Sequence, residues 1–217
     1  MDAEELAGEA GLAADARATQ GVRERNRAMR MAQILNSSRR VFCELGYAEY
    51  SMRKVADDAG LHLNSVQHFF GDVDALLRST IHSVLDEFVV RFRLIANGSR
   101  LPARDRLEGI VEENLRVMVD PQLHAFMTHT WAVAVHKPGI ARLLEQLYLE
   151  YENILTGLVL EIAPGKSEDE ARVHARLIAS LIEGFEVVWR YAPGDPPIGA
   201  VASQMKRACL SLFGTAP

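Results

Sequence analysis

The sequence lacks several features that would place it quickly in a class of proteins. No run of about 18 apolar residues occurs, which argues against a helix that crosses a membrane. The opening segment, MDAEELAGEAGLAADARATQG, has neither the basic start nor the apolar centre of a secretion signal, so we expect a disordered acidic tail over residues 1–20 and a cytoplasmic protein. Only two cysteines are present, Cys43 and Cys209, and their wide separation indicates neither a disulfide framework nor a cysteine metal site.

Motifs of catalysis are also missing. The sequence contains no GxSxG, no HExxH and no glycine-rich loop that would hold a phosphate. The histidines His124, His129 and His136 are not spaced as i and i+4, the spacing that places two metal ligands on one helical face, and we interpret them as structural or pocket residues. We therefore expect a protein that is not an enzyme and that holds no metal or cofactor.

Charge is distributed unevenly along the chain, whose formal net charge is −5. Residues 1–20 carry five acidic residues and one basic residue, whereas residues 21–71 carry eight basic residues and five acidic ones. The remaining residues, 72–217, are again net acidic. A basic segment between two acidic ones favours a protein that meets a polyanion with one part of its surface.

Apolar residues recur with a helical period along most of the chain, and no segment alternates as a strand does. Helix boundaries are marked by Ser51 and Asp72 as N-caps, by Gly46 and Gly60 as stops, and by Ser167 with Glu170 at capping-box spacing. The pattern predicts an all-α protein of about nine helices.

Residues 52–70 have the spacing of a helix-turn-helix. Two short helices that cross steeply need a small residue at their contact, a glycine in the turn and an apolar residue that fills the space between them. Ala56, Gly60 and Val66 meet these needs in order. We therefore divide the chain into a tail at 1–20, a three-helix DNA-binding domain at 21–71, and a larger helical ligand-binding and dimerisation domain at 72–217.

The second of these short helices carries neutral polar residues where a water-facing surface would usually carry Lys and Glu. In the stretch LHLNSVQHFF, amide, hydroxyl and imidazole groups alternate with apolar ones. Such groups match the donors and acceptors on base edges in the major groove, whereas Glu would be repelled by phosphate. The candidates for reading bases are His62, Asn64, Ser65, Gln67 and His68.

Residues 27–77 resemble the DNA-binding domain of tetracycline-repressor (TetR) family regulators. The resemblance rests on a basic helix ending F-x-x-x-G-Y, then S-M-R-x-V-A-x-x-A-G-L, then H-F-F-G-D-x-x-A-L-L, in this order. It implies that Ser51 and Arg53 hold phosphate. The sequence departs from the family pattern at three positions: Gln67 replaces a usual phosphate-binding tyrosine, Asn64 replaces a usual Gly or Ala, and Val73 replaces a frequent Lys. We expect these changes to weaken phosphate binding, and basic residues such as Arg40 to compensate for the loss.

The C-terminal part has a concentration of aromatic, Met and His residues on its helices. Core packing would explain each of these residues singly. Together they suit an apolar ligand cavity with a few polar groups that bind the ligand, and the family resemblance also implies such a cavity. A paired Trp and Tyr could also cage a cation. The candidate cavity residues are Met118, Phe126, His129, Trp131, Tyr148, Tyr151, Phe185 and Trp189.

Two apolar stripes near the C-terminus predict a two-fold homodimer, with packing inside one subunit as the alternative. Their members are Ala175, Ile178, Ala179 and Ile182 on one helix and Val201, Met205, Ala208 and Leu212 on the next. These features predict a repressor that a small apolar or aromatic effector releases from a palindromic double-stranded operator. The alternative is an all-α ligand-binding or interaction protein in which the helix-turn-helix spacing serves packing alone.

Overall fold

Nine α-helices and no strand form the described part of the computed structural model, which covers residues 3–98, 100–191, 194 and 197–213, with side chains from residue 21 onward except 190 and 191. The all-α architecture predicted from the sequence is confirmed. The helices are α1 (Ala3–Glu49), α2 (Met52–Ala59), α3 (Leu63–Phe70), α4 (Val73–Ala96), α5 (Ala103–Val119), α6 (Pro121–Ala134), α7 (Pro138–Ile162), α8 (Glu168–Tyr191) and α9 (Ile198–Ser211).

The first helix starts earlier than the sequence suggested. The backbone of residues 3–20 is helical, where we expected a disordered tail, while residues 1 and 2 lie outside the described residues. Ala, Glu and Leu dominate this segment and are strong helix formers, which accounts for the difference. Gly46, with φ of 66° and ψ of −175°, interrupts α1 where the sequence predicted its end. That residues 1–20 lie apart from the DNA-binding domain stays a prediction.

The chain divides into two compact units, Met1–Thr80 and Ile81–Pro217. We expected the division after residue 71, but the first turns of α4 pack into the N-terminal unit. Leu76 and Leu77 are buried there, and the Thr80 hydroxyl lies 2.6 Å from that of Ser38 on α1. The Ser38 hydroxyl also contacts that of Tyr50, so three buried hydroxyl groups connect α1, the loop after it and α4.

Capping residues fix the ends of the short helices as their sequence predicted. Ser51 accepts a hydrogen bond from the Lys54 amide at 3.3 Å, and Asp72 accepts one from the Ala75 amide at 2.7 Å. Gly60 has φ of 64°, a left-handed conformation that an L side chain rarely adopts, and its amide bonds the end of α2. The turn between α2 and α3 therefore depends on glycine.

The C-terminal unit contains α5 to α9 and the greater part of α4. Pairing of the two long helices α7 and α8 is its main packing contact. Ser167 and Glu170 form the expected capping box, since each accepts from the other's backbone amide, at 3.3 and 2.8 Å. The start of α8 is thus fixed by local chemistry, and its register against α7 decides which side chains face inward.

Candidate DNA-binding surface and ligand cavity

The helix-turn-helix frame is present as its spacing indicated. Ala56 and Val66 are both inaccessible to solvent at the crossing of α2 and α3, and the Leu61 amide donates to the Ala56 carbonyl at 2.9 Å. Gln33 on α1 donates to the Ala59 carbonyl at 2.8 Å, which holds the end of α2 against α1. These contacts orient α3 with one face turned away from the N-terminal unit.

The exposed face of α3 carries most of the expected base-reading side chains. Asn64, Gln67 and His68 are exposed, His62 is exposed at the N-cap without a side-chain capping bond, and Ser65 is half-buried. Side chains three and four residues apart share one side of a helix, so the first three form a single polar surface. Its donors and acceptors are suited to the major groove.

Phosphate contacts are less uniform than the sequence suggested. Arg53 is exposed, and Ser51 uses its oxygen as the α2 cap, which leaves the hydroxyl hydrogen for a phosphate oxygen. Arg40 instead bonds Asp58 at 2.6 Å and Ser37 at 2.9 Å. The exposed guanidinium of Arg40 thus forms an ion pair with α2, and phosphate binding by Arg40 stays a prediction.

An arginine of α1 lies next to the reading helix. The Arg27 guanidinium is 5.6 Å from the ring centre of Phe69 on α3, a cation–π contact. Arg23, Arg25 and Arg30 are exposed on the same helix. This basic part of α1 adds positive charge beside α3, whereas the charge of Arg40 is paired with Asp58 on α2.

A small cavity lies inside the C-terminal unit, with a free volume of about 40 Å³. Aromatic rings and two carboxylates dominate its wall, and no Lys or Arg of the described residues lines it. The lining residues are Phe88, Phe92, Asn114, Val117, Met127, Leu147, Tyr148, Tyr151, Glu183 and Glu186.

A chain of hydrogen bonds leads from α6 to one of the carboxylates. The Trp131 indole donates to the Tyr148 hydroxyl at 2.9 Å, and that hydroxyl donates to Glu183 at 3.2 Å. Burial raises the pKa of Glu183 to about 7, the nearby charge of Glu186 adds to the rise, and the bond from Tyr148 opposes it. Burial also raises the pKa of Tyr148 far above the physiological range, so its phenol stays a donor.

The second carboxylate has a different neighbour. Glu186 lies 3.1 Å from Nδ1 of His124, and both side chains are almost entirely buried. On the far wall, Asn114 donates to the Tyr151 hydroxyl at 3.0 Å. The two carboxylates are therefore not equivalent, because only Glu186 has a partner that can carry positive charge.

The expected cavity residues are only partly brought together. Tyr148 and Tyr151 line the cavity, and Trp131 is one hydrogen bond away. Met118 and Phe126 are buried in the core, and His129 is half-buried but does not line the cavity. Phe185 and Trp189 contact each other at 5.5 Å between ring centres, and Phe185 faces a groove toward α9 instead. These five side chains do not line the cavity, and their part in binding an effector stays a prediction.

Sequence reasoning missed the residues that give the cavity its chemistry. Glu183 and Glu186 stand three apart in LIEGFEVVW, where the rest of the segment is largely apolar. Two acids on one side of an otherwise apolar helix segment are an available signal. Phe88 and Phe92 on α4 follow the helical apolar period of the sequence, a pattern that does not distinguish a packed core from the wall of a cavity.

The predicted dimer stripe is largely internal. Ala175, Ile178, Ile182 and Met205 are at most 6% exposed in the isolated subunit, so they form its own core, as the alternative interpretation held. Ala179, Val201, Ala208 and Leu212 are half-buried. A different row of α8 is exposed, formed by Val173, Leu177, Leu181 and Val188.

Within the described ranges, no helix combines the length and apolar character that a membrane crossing requires. Nor do three or more His, Cys, Asp or Glu side chains of that part of the chain assemble into a group that could hold a metal ion.

Comparison with protein families gives one match in the C-terminal unit. Residues 103–214 match the TetR C-terminal family described as "BetI-type transcriptional repressor, C-terminal". The HTH-type transcriptional regulator BetI of Burkholderia thailandensis is 31% identical over 164 residues, which cover 73% of this chain and 80% of that protein.

Solved structures show the same fold at lower identity. A putative transcriptional regulator from Pseudomonas aeruginosa PAO1 aligns with a TM-score of 0.74 and 21% identity, covering 85% of this chain and 88% of the other. The regulator FadR of Bacillus subtilis, solved in complex with stearoyl-CoA, aligns with a TM-score of 0.69 and 17% identity, covering 86% and 99%.

The raised pKa of Glu183 predicts how stability depends on pH. The ordinary carboxyl pKa is 4.5, so below that pH Glu183 is protonated in both the folded and the unfolded protein and does not affect the free energy of unfolding. Between pH 4.5 and about pH 7 the unfolded protein ionises first, and the free energy of unfolding falls progressively. Above about pH 7 the loss of stability is complete. Glu183→Gln keeps an acceptor for Tyr148 without the charge. We expect urea denaturation to show a gain of ~1–3 kcal/mol at pH 8, at ~1.4 kcal/mol for each pKa unit, and little change at pH 4.5.

Glu152→Gln is the matched control, because the Glu152 carboxylate bonds Arg176 at 2.7 Å and gains nothing from losing its charge. An equal effect of Glu183→Gln at both pH values would contradict the assigned burial of charge.

Proposed function

The chain belongs to the TetR family of transcriptional regulators, with a C-terminal domain of the BetI type, and acts as a ligand-responsive DNA-binding repressor; we propose that its effector is a small organic cation. The sequence favoured an apolar or aromatic effector. The cavity of the C-terminal unit changes this expectation, because its wall combines aromatic rings with two acidic side chains.

The observation that carries the proposal is the placement of Glu183 and Glu186 in one small cavity beside Phe88, Phe92 and Tyr151. Two carboxylates in an apolar wall are costly unless a positive charge joins them. Ring faces attract cations, most strongly where water is excluded. A quaternary or protonated amine can contact both the rings and the acids, whereas a neutral apolar molecule would offer no counter-charge to Glu183.

The size of the cavity supports coupling to DNA binding. A free volume of about 40 Å³ is far below the ~300–1,000 Å³ of typical ligand pockets, so an effector must push the lining helices apart. Phe88 and Phe92 lie on α4, the helix whose first turns belong to the N-terminal unit. We propose that displacement of α4 changes the separation of the two reading helices of a dimer, which must match a DNA turn of about 34 Å.

The effector proposal predicts derepression by a simple cation. We expect tetramethylammonium chloride to weaken binding to a DNA site selected from random sequences by roughly 5- to 150-fold, the usual range of allosteric coupling. Fluorescence anisotropy measures it. Sodium chloride at equal concentration corrects for the salt sensitivity of DNA binding.

The variant Glu183→Gln with Glu186→Gln should bind the same DNA and lose the response. If tetramethylammonium and sodium weaken DNA binding equally in the unchanged protein, the cation class is wrong.

For DNA recognition we propose that Asn64, Gln67 and His68, with His62 and Ser65, contact bases, and that Ser51 and Arg53 contact phosphate. Gln67→Ala and Asn64→Ala should each cost ~1–3 kcal/mol on the selected site and little on unrelated DNA. Arg53→Ala should weaken both equally and lower the slope of log affinity against log salt by about 1. Competition titrations separate the two results, and unchanged discrimination in both amide variants would exclude α3 as the reader.

The exposed row of α8 supports a two-fold dimer through α8 and α9. An apolar groove beside this row is lined by Leu181, Phe185, Val201 and Ala208. Val201 and Ala208, which belong to the predicted α9 stripe, therefore lie next to the exposed row of α8. Leu177→Glu places an unpaired carboxylate in that face, and we expect analytical ultracentrifugation to show monomers. Leu149→Glu, at a similarly exposed leucine of α7, should leave the dimer intact. Dimerisation that survives Leu177→Glu would move the interface elsewhere.

A further inference from the structure

We infer that the effector cation and a proton compete for Glu183, so that occupation of the cavity releases one proton to solvent. The inference rests on the cationic effector proposed above and adds the regulation of that site. In the ligand-free protein below neutral pH Glu183 is a neutral carboxylic acid; in the complex it is a carboxylate paired with the cation.

The surroundings of Glu183 make it the group that keeps the proton. Its contacts are the Tyr148 phenol on α7 and, one helical turn away on α8, the Glu186 carboxylate. A phenol whose pKa is raised far above neutrality cannot supply positive charge. Burial and, after it, the nearby charge of Glu186 disfavour the ionised form of Glu183 and raise its pKa.

Glu183 also lines a second groove with Glu145, Glu152 and Arg176, and the Arg176 guanidinium there is bound to the Glu152 carboxylate at 2.7 Å. The cavity itself has no Lys or Arg among its described lining residues. Among described residues, α4 contributes the rings of Phe88 and Phe92, and α5 contributes the neutral amide of Asn114. From α7 come Tyr148 and Tyr151, and from α9 the Cys209 thiol, whose pKa burial raises to about 11. The imidazole of His124 on α6 faces Glu186 rather than Glu183. Glu186 thus has a polar partner in His124, whereas Glu183 is bonded to a phenol, which can donate to a carboxylate but carries no positive charge.

Entry of a cation reverses this preference. A positive charge between the ring faces and the acid stabilises the carboxylate form and lowers the pKa of Glu183. The balanced step is the loss of H⁺ from the neutral acid together with formation of a carboxylate–cation pair, with no covalent bond to the ligand. Affinity for the cation is therefore greatest above neutral pH and falls as the proton becomes the stronger competitor.

The magnitude follows from the pKa of about 7 in the ligand-free protein. For one competing proton, affinity falls about tenfold for each pH unit below that value and is constant well above it. We expect tetramethylammonium to bind roughly 30-fold more weakly at pH 5.5 than at pH 8. Glu183→Gln should bind weakly at both pH values, with no slope between them.

The proton can be located without any ligand. Infrared spectra of the ligand-free protein should show a buried carboxylic acid carbonyl band at pH 6 that disappears by pH 8.5. Glu183→Gln should remove the band, and Glu152→Gln, a matched change of a salt-bridged glutamate, should retain it. A band that persists in Glu183→Gln, or that is absent from the unchanged protein at pH 6, would place the proton elsewhere and overturn the inference.

Calorimetry of tetramethylammonium binding in two buffers of different ionisation enthalpy counts the released protons. We expect nearly one proton at pH 6 and nearly none at pH 8.5. Binding at pH 6 with no proton release would overturn the competition and leave the cationic effector standing. No binding at pH 8.5, where the carboxylate is free, would defeat the effector class and the inference together.

Discussion

Two carboxylates that share one small cavity repel each other when both carry charge, and this constraint governs the chemistry of the C-terminal unit. Glu183 and Glu186 are three residues apart on α8, so the helix itself prevents them from moving away from each other. The pairing of α7 with α8 then encloses them beside Tyr148 and removes the water that would otherwise screen them. The same packing that stabilises the unit therefore creates the acidic, aromatic-walled cavity to which we assign a cationic effector.

The N-terminal unit solves a different electrostatic problem. DNA recognition needs attraction to phosphate and discrimination between bases, and one residue type rarely supplies both. Here neutral side chains such as Asn64 and Gln67 occupy the reading face, while arginines are placed around it. The ion pair between Arg40 and Asp58 shows that a basic residue in this unit can bind a carboxylate of the protein, so basic character alone does not identify a phosphate ligand. Arg40 and Arg53 are both exposed, so it is the ion pair with Asp58, and not burial, that distinguishes Arg40 from Arg53.

Features decided within a few residues could be predicted from the sequence. The caps at Ser51 and Asp72, the left-handed turn at Gly60 and the capping box that begins α8 all follow from local chemistry. The helix-turn-helix follows too, because its three spacing residues lie within one short stretch. These predictions succeed because the sequence neighbours are also the neighbours in space.

Features that depend on the rotation of a long helix could not be predicted in the same way. The apolar positions of α8 fit an internal stripe through Ile178 and an external one through Leu177 equally well, and only packing against α7 and α9 decides between them. That rotation also turns Phe185 away from the cavity and Glu183 toward it. A change of one position moves a side chain by about 100° around the helix, which is enough to exchange a ligand contact for a surface one.

The hydrogen bonds that connect the three buried hydroxyl groups of the N-terminal unit have a fixed order of donors and acceptors. Thr80 donates to the Leu76 carbonyl at 2.8 Å, so Ser38 must donate to Thr80, and Tyr50 must donate to Ser38. Loss of the first donor, by Phe at position 50, leaves the other two groups satisfied. Loss of the middle group, by Ala at position 38, removes its bond with Tyr50 and its bond with Thr80 together. Chemically similar deletions along this chain are thus unequal, and sequence drift should be freer at Tyr50 than at Ser38.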